Sequence, residues 1–378
     1  MKVKDGYKKT EIGLIPDDWE VKSVIDIAPL QRGFDLPNKN LQKGIYPVVY
    51  SNGIVNYHNK SQAKAPGIVT GRSGTIGKVT FVERDYWPHN TALWVTDFRN
   101  NIPKYIYYLY LAIKLERFAT GSGVPTLNRN DVHNFKIAIP KSKEEQKAIA
   151  EVLSDTDNLI QALEKRIAKK CLIKQGAMQK LLSPKEDWEV KALGEVADII
   201  GGGTPNTFMN IYWNGTINWF TPTEIGLNKY TFESIRKIST EGLKNSSAKI
   251  LPIGTVLLTS RAGIGDLSIL KVEGCTNQGF QSLIPKESIN NEFLYYLMIT
   301  LKNVLIQNAS GSTFLEISPN RIKQIEVSLP DYKEQTHIAT ILSDMDKELE
   351  TLEKKLVKYK LIKQGLMQNL LTGKIRLV

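Results

Sequence analysis

The sequence has 378 residues, of which 42% are hydrophobic and 24% charged, so it is long enough for two or three domains that each bury a core. Its formal net charge of +11 favours a polyanionic partner. No apolar run reaches the roughly 18 residues that a membrane span needs, and the isolated Cys171 and Cys275 argue against a disulfide framework or a zinc site.

The N-terminal segment MKVKDGYKK is basic but no apolar stretch follows it, so we expect no secretion signal and a cytoplasmic protein. Residues 1–142 form a first body in which short β-branched and aromatic runs alternate with Gly, Asn and Pro, a pattern that predicts strands and turns. Residues 104–118 predict one helix. This body carries a net charge of +7, since 19 basic and 12 acidic residues lie in 1–140.

A glycine-rich segment of the first body, GRSGTIGK at 71–78, resembles a phosphate-binding P-loop, but its spacing is wrong. Five residues separate Gly71 from Gly77 instead of four, and Val79 stands where Ser or Thr would hold magnesium. We therefore predict a turn after a strand that presents Arg72, and no nucleotide site.

Two segments of 38 residues, 145–182 and 334–371, repeat each other without a gap at an offset of 189. In both copies apolar residues recur at alternating spacings of four and three, which predicts a coiled coil. The seam residues are Ile149, Leu153, Thr156, Ile160, Leu163 and Ile167, then Ile338, Leu342, Met345, Leu349, Leu352 and Leu356. The alternative is an amphipathic helix that lies on a globular core. Each helix of about 40 residues would be roughly 60 Å long.

Residues 183–332 form a second body that repeats the first more weakly, and 13 basic and 14 acidic residues in 183–330 give it a net charge of -1 up to Pro330. The offset between the bodies grows from 169 at their start to about 189 at mid-body, so we expect about 20 extra residues within 201–250. Residues 291–306 predict a helix. We predict an α+β protein with two mixed α/β bodies and curved sheets, joined by two long helices in an antiparallel coiled coil. Its internal pseudo-two-fold symmetry suits a partner with two similar ends, such as duplex DNA.

Polar and basic loop residues of both bodies are candidates for contact with DNA phosphates and base edges. In the first body they are Arg32, Lys60, Lys64, Arg72, Ser73, Lys78, Asn90 and Ser122. In the second they are Thr204, Asn206, Arg236, Arg261, Asn277, Gln278 and Ser312. Positions shared by the two bodies favour phosphate contact, whereas the divergent segments 32–64 and 201–249 favour base discrimination. The alternative for any one of them is an ordinary solvated loop.

The sequence contains no Gly-x-Ser-x-Gly elbow, His-Glu-x-x-His pair or Asn-Pro-Pro-aromatic motif, which indicates a non-catalytic chain without a metal or cofactor of its own. Two other classes stay open at this point. One is an enzyme that acts alone on DNA or nucleotides, and the other is a coiled-coil assembly adaptor whose basic charge is incidental.

The chain resembles the specificity subunit of type I restriction–modification enzymes. The resemblance is carried by TEIGLIPDDWEVKSV near the N-terminus, the Arg-Ser-Gly and Gly-Ser loops, Leu329-Pro330 before Glu334-Gln335, and the terminal LIKQGLMQNLLTGKIRL. It implies target-recognition domains at 1–142 and 183–332, each reading one half of a split, asymmetric DNA target. It implies that the helices at 143–182 and 333–378 set the spacer. Two modification (methyltransferase) subunits would dock on this frame and restriction (endonuclease/translocase) subunits would join. S-adenosylmethionine and ATP would be bound by those partners.

Overall fold

The chain forms two compact units in the computed structural model, which describes residues 5–121, 123–261, 263–311 and 315–377. The first unit comprises Met1–Lys165 and Glu353–Val378, and the second comprises Arg166–Leu352. Each unit therefore contains one body together with a part of each long helix.

The strands of the first body are short and follow one another closely. They are β1 (Tyr7–Thr10), β2 (Gly13–Pro16), β3 (Trp19–Ser23), β4 (Leu30–Arg32), β5 (Tyr46–Tyr50), β6 (Gly53–His58), β7 (Gly67–Gly71), β8 (Val79–Val82), β9 (Trp87–Pro88), β10 (Ala92–Val95), β11 (Ala119–Thr120), β12 (Thr126–Leu127) and β13 (Lys136–Pro140). The main sheet has the order β4-β10-β7-β8 and is antiparallel, and a second sheet has the order β6-β5-β9. Paired strands β13 and β3 lead into the first long helix.

Helices of the first body are α1 (Val24–Ile27), α2 (Pro103–Ile113) and α3 (Arg129–His133). The helix predicted at 104–118 is shorter than expected, because Lys114 adopts a left-handed conformation with φ of 55° and ends it. A 3₁₀ turn follows at Leu115–Phe118. The core of this body contains the wholly buried Trp19, whose Nε1 donates a 3.0 Å hydrogen bond to Glu145 Oε2 on the first long helix.

The second body repeats this plan. Its strands are β14 (Glu189–Ala192), β15 (Ala197–Gly201), β16 (Trp213–Phe220), β17 (Tyr230–Thr231), β18 (Arg236–Ile238), β19 (Val256–Leu258), β20 (Leu267–Leu270), β21 (Gly274–Thr276), β22 (Gln281–Pro285) and β23 (Glu326–Leu329). The main sheet has the order β15-β22-β19-β20-β17, and a smaller sheet has the order β18-β16-β21. The first four strands of the main sheet are equivalent to β4-β10-β7-β8, whereas β17 is an addition.

The long helices are α4 (Lys143–Leu181) and α10 (Tyr332–Leu370). The first matches the range 143–182, whereas the second ends eight residues before the end of the range 333–378. The shorter helices between them are α5 (Leu193–Val196), α6 (Thr240–Lys244), α7 (Asn291–Thr300), α8 (Lys302–Gln307) and α9 (Pro319–Lys323). The helix predicted at 291–306 is in fact two, α7 and α8, separated at Leu301. Asn290 caps α7, since its Oδ1 accepts hydrogen bonds from the backbone N–H groups of Glu292 and Phe293.

The heptad seam is buried in two different ways. Ile149 and Leu153 belong to the core of the first body, and Ile338 and Leu342 belong to the core of the second. At the ends of the seam, therefore, the alternative of an amphipathic helix lying on a globular core is the better description. Farther along the helices Ile160, Leu163 and Leu352 are buried, whereas Ile167, Leu349 and Leu356 are half-buried.

Within each unit the segments of α4 and α10 run antiparallel. In the first unit Lys363 pairs with Asp157 at 2.6 Å and Lys360 pairs with Glu164 at 2.7 Å. The residue number rises along one helix as it falls along the other. The second unit shows the same order, in which Lys170 pairs with Glu348 and Lys174 pairs with Asp346. Antiparallel pairing is the direction that the repeat predicts.

Candidate nucleic-acid interface

One end of the main sheet in the first body gathers several of the predicted DNA-binding residues. Arg32 at the end of β4 lies opposite Leu93 of β10, and Leu93 lies opposite Thr70 of β7. Arg72 follows β7 directly, so Arg32 and Arg72 lie at the same end of the sheet. Both are accessible, since Arg32 is exposed and Arg72 half-buried.

Arg72 is held between two loops. Its Nε donates a 3.1 Å hydrogen bond to the carbonyl oxygen of Asn90, and the backbone N–H groups of Arg72 and Ser73 both donate to the carbonyl oxygen of Thr91. The carbonyl oxygen of Arg72 in turn accepts a 2.7 Å hydrogen bond from the N–H of Leu127. These bonds fix the arginine at the strand end and bring Arg72, Ser73 and Asn90 together.

The glycine-rich turn that carries Arg72 is closed tightly. A Cβ added at Gly71 would lie 1.7 Å from the carbonyl oxygen of Thr75, so only glycine fits there. At the other end of the turn Lys78 Nζ donates a 2.6 Å hydrogen bond to the carbonyl oxygen of Asn52, in the connection between β5 and β6. Lys78 therefore lies in the same loop cluster as Arg72.

Lys60 and Lys64 lie at the opposite end of β7. They come before Gly67, where this strand starts, and its five residues span about 16 Å at 3.3 Å per residue. Lys64 forms an exposed 2.8 Å ion pair with Asp85, which raises the pKa of the lysine. The structure does not bring these two lysines to the arginine end of the sheet.

The equivalent sheet end of the second body gathers Thr204, Asn277 and Gln278. The hydroxyl of Thr204 donates a hydrogen bond to Gln278 Oε1. Asn277 Oδ1 accepts a 2.9 Å hydrogen bond from the N–H of Gly279, which fixes the turn. A Cβ at Gly202 would lie 2.0 Å from the carbonyl oxygen of Asn277, so the two loops touch through their backbones.

Asn206 and Arg236 both contact the side chain of Trp213. The Arg236 guanidinium carbon lies 3.7 Å from the ring centroid of Trp213, close enough for a cation–π contact. Trp213 Nε1 donates a 3.2 Å hydrogen bond to the carbonyl oxygen of Asn206. Arg236 nevertheless stays exposed, so its guanidinium is positioned by the tryptophan and is accessible to a ligand.

Arg72 and Arg261 occupy equivalent positions but have different partners. Arg261 Nε lies 3.0 Å from a carboxylate oxygen of Glu316, whereas Arg72 Nε donates to a neutral backbone carbonyl. The residue equivalent to Glu316 in the first body is Thr126. The positive charge of Arg261 is therefore offset locally, and Arg72 is the stronger candidate for a phosphate contact.

Exposed apolar side chains in the second body were missed by the sequence reasoning, which searched for polar and basic residues. Phe208 is 93% exposed and Ile235 86% exposed, with Leu227 and Phe232 also exposed. They lie in the divergent segment 201–249. Their signal in the sequence was large apolar residues within a divergent, loop-rich stretch, and three of them, Leu227, Phe232 and Ile235, lie between β16 and β18.

Ser122 and Ser312 lie outside the described residues. Within the described ranges, no group of three His, Cys, Asp or Glu side chains is arranged to hold a metal ion. No helix in the described part of the chain is long and apolar enough to cross a membrane.

Solved structures share this fold. The S subunit of a type I restriction–modification system from M. genitalium matches with a TM-score of 0.66 and 17% identity, over 98% of each chain. A chain from a structure concerning complex assembly and conformational transition of the type I R-M system matches with a TM-score of 0.60 and 16% identity, over 96% of this chain and 99% of that one. The chain therefore shares its fold with both of these solved chains.

The sequence model for the type I restriction modification DNA specificity domain matches residues 16–171 and 185–359. The chain belongs to this family and carries two such domains. This assignment does not support the alternative of a coiled-coil assembly adaptor.

Curated relatives of the chain are named as specificity subunits of type I restriction enzymes. The MjaIX specificity subunit of Methanocaldococcus jannaschii is 40% identical over 173 residues, which are 45% of this chain and 40% of that protein. The putative MjaX specificity subunit of the same organism is 28% identical, over 99% of this chain and 97% of that protein. The EcoR124I/EcoR124II specificity subunit of Escherichia coli is 26% identical, over 78% and 77%.

Proposed function

We propose that the chain recognises a split, asymmetric DNA sequence, with each body reading one half. The observation that carries this proposal is that the same sheet end in both bodies bears an equivalent arginine loop, while the neighbouring side chains differ. Equivalent arginines suit the phosphate backbone, which is alike at both half-sites. Different neighbours suit two different base sequences.

Base discrimination in the second body falls to exposed residues of the divergent segment 201–249 and to Gln278. Thr204, Asn206 and Gln278 offer hydrogen-bonding groups, while Phe208 and Ile235 offer apolar contact to a thymine methyl group. In the first body Arg32, Ser73 and Asn90 lie at the same end of the sheet as Arg72. Lys60 and Lys64 contribute long-range attraction to phosphates.

The repeated helices are proposed to set the spacer between the half-sites and to dock two modification subunits. Their LIKQG segments support docking because they leave apolar side chains uncovered at equivalent positions. Leu172 is 69% exposed in the second unit and Leu361 is 63% exposed in the first, and each is followed by an exposed isoleucine. Two equal apolar patches suit two copies of one partner.

Catalysis is proposed to belong to the partners. The modification subunits would bind S-adenosylmethionine and methylate adenine, and the restriction subunits would bind ATP and cleave. The chain itself would act in the cytoplasm as a recognition subunit without a cofactor.

The test is co-expression with the modification subunit, followed by mapping of methylated adenines in the host genome. The expected result is one bipartite sequence with a fixed spacer. A variant that lacks residues 162–168 and 351–357 loses one heptad, about 10 Å, from each helix. We expect the same half-sites with a spacer shorter by about three base pairs, since a turn of ten pairs is about 34 Å.

The matched control keeps the full length and replaces the exposed residues of the same two segments by alanine. It should keep the original spacer. A shortened variant that still methylates at the original spacer would contradict the role of the helices, and methylation without any bipartite sequence would contradict the proposed recognition.

A further inference from the structure

The two bodies differ at one edge of the main sheet. In the second body β20 lies between β19 and β17, and all four of its residues are buried. In the first body the equivalent β8 is the last strand of its sheet, and its Thr80 and Phe81 remain half-exposed. An edge strand presents unpaired backbone N–H and C=O groups that can accept a further strand.

The additional strand β17 comes from an insertion. In the first body β5 and β6 are joined by the two residues Ser51 and Asn52, whereas the equivalent β16 and β18 are separated by residues 221–235. This insertion accounts for most of the extra length that the sequence predicts in 201–250. It folds back to lie parallel to β20, with Tyr230 opposite Ile269.

Lys229, just before β17, anchors the added strand. Its carbonyl oxygen accepts a 2.7 Å hydrogen bond from the N–H of Ile269. Its Nζ, which is largely buried, forms an ion pair with Glu292 of α7 and donates a 2.9 Å hydrogen bond to the hydroxyl of Tyr296. In this ion pair the segment of β17 therefore supplies the cation and α7 supplies the carboxylate.

The first body has an open groove of about 600 Å³ in the equivalent place, lined by β8, the β5–β6 hairpin and α2. Lys104 of α2 occupies the position equivalent to Glu292, so the helix here supplies the cation. Its Nζ lies 4.1 Å from the ring centroid of Phe81 and 5.2 Å from that of Tyr107. Arg84 and Lys78 also line the groove, against the single acidic Glu83.

We propose that this groove binds an extended acidic segment of a partner protein, which adds a strand parallel to β8. A carboxylate of that segment lies where Lys229 lies in the second body and pairs with Lys104. The proposal goes beyond DNA recognition and does not depend on it. Because the second body fills the same edge with its own β17, the partner binds once per chain, unlike partners that bind the repeated helices.

A peptide suits this edge better than a nucleic acid does. The free edge of β8 offers backbone donors and acceptors in the regular spacing of a strand, which another peptide backbone matches. In the second body the equivalent edge is in fact bound by peptide. Half-exposed Phe81 and exposed Tyr57 line the groove and suit apolar side chains of the added strand.

The experiment uses the full chain and a fluorescently labelled synthetic peptide of residues 226–233 that carries Lys229→Glu. The control is the peptide with its natural lysine. Fluorescence anisotropy should show at least tenfold tighter binding of the glutamate peptide. Lys104→Glu should reverse this preference, and the variant is compatible with the fold because α7 carries glutamate at the equivalent position. Hydrogen exchange should slow at the amides of β8 when the glutamate peptide is bound.

Several results would overturn the proposal. They are equal affinity of the two peptides, absence of binding at millimolar peptide, and a preference that Lys104→Glu leaves unchanged. Displacement of the peptide by duplex DNA, together with weaker DNA binding by Lys104→Glu, would assign the groove to nucleic acid. A homodimer that Lys104→Glu dissociates would assign it to a second copy of this chain.

Discussion

Lys363 Nζ lies 2.6 Å from Asp157 Oδ1, and the other oxygen of the same carboxylate accepts a 2.8 Å hydrogen bond from the hydroxyl of Tyr108. This cluster joins α10, α4 and α2 within the first unit. The second unit repeats it with the residues at equivalent positions: Lys174, Asp346 and Tyr296. The same joint therefore connects each body to both helical segments of its unit.

Removing one hydroxyl from this joint should weaken one unit at a time. Tyr108→Phe removes the hydroxyl donor of Asp157 Oδ2 and leaves only the lysine on the other oxygen, so it should lower the free energy of unfolding by about 1–3 kcal/mol. Hydrogen exchange should show faster opening in the first unit for Tyr108→Phe and in the second for Tyr296→Phe. Tyr332→Phe, at an exposed position, is the control. Equal acceleration in both units by either variant would show that the joints are not local.

Arg72 and Arg261 should contribute unequally to DNA affinity. Arg72→Ala should weaken binding to every sequence and reduce the slope of log K against log salt by about one. Arg261→Ala should have a smaller effect, because Glu316 already offsets the charge, and Glu316→Gln should strengthen binding to all sequences. Titrations at several salt concentrations measure both quantities. Loss of discrimination at a single base pair after Arg72→Ala would instead assign that arginine to base reading.

Phe208 should affect specificity at one half-site only. Phe208→Ser removes an exposed apolar side chain, so the folded state should lose little stability, but apolar contact with a thymine methyl group would be lost. We expect discrimination at one base pair of the second half-site to fall by about 1–3 kcal/mol. Competition binding with single-base variants of the mapped site provides the measurement. Unchanged discrimination at every position would remove Phe208 from base reading.

Glu292 should make the second unit sensitive to acid. Burial raises the pKa of this carboxyl group, but hydrogen bonds from Lys229, Tyr230 and Ser343 outweigh burial and hold it below its ordinary value of 4.5. Its contribution to stability is therefore present above about pH 4.5 and is lost as the pH falls through the lower folded value. Glu292→Gln should flatten this dependence in denaturant unfolding between pH 3 and 6. An unchanged pH dependence in the variant would assign the acid sensitivity to other carboxyl groups.

Leu172 and Leu361 should each support the docking of one modification subunit. Leu172→Glu or Leu361→Glu alone should reduce the complex from two bound subunits to one, and the double variant should bind none. Native mass spectrometry counts the subunits. Val357→Glu is the control, because this exposed valine has Ala168 at the equivalent position and is not part of a repeated patch. Two subunits on the double variant would move the docking surface elsewhere.

The long helices could be predicted from the sequence because their signal is local. A heptad period over about three heptads within the 38 repeated residues predicts both helices and their apolar face, and α4 ends within one residue of the expected bound. The shorter helices predicted at 104–118 and 291–306 are interrupted at Lys114 and Leu301. Neither residue is proline or glycine, so the composition of these segments did not predict the interruption.

The site was harder to predict because its geometry depends on long-range contacts. The pairing of Arg261 with Glu316 spans 55 residues, and the stacking of Arg236 on Trp213 depends on the pairing of β18 with β16. The repeat correctly indicated that Arg72 and Arg261 occupy equivalent loops. Their different partners follow from the single difference between Thr126 and Glu316.

The insertion 221–235 leaves the order of the equivalent strands unchanged, which makes the β5–β6 turn a natural site for protein engineering. A chimera in which residues 221–235 replace Ser51 and Asn52, with Lys104→Glu to receive Lys229, would close the first body's groove from within. Such a chain would have two recognition modules with the same secondary-structure inventory and still different base-reading loops. Half-site specificities could then be exchanged between the modules by transplanting loops alone.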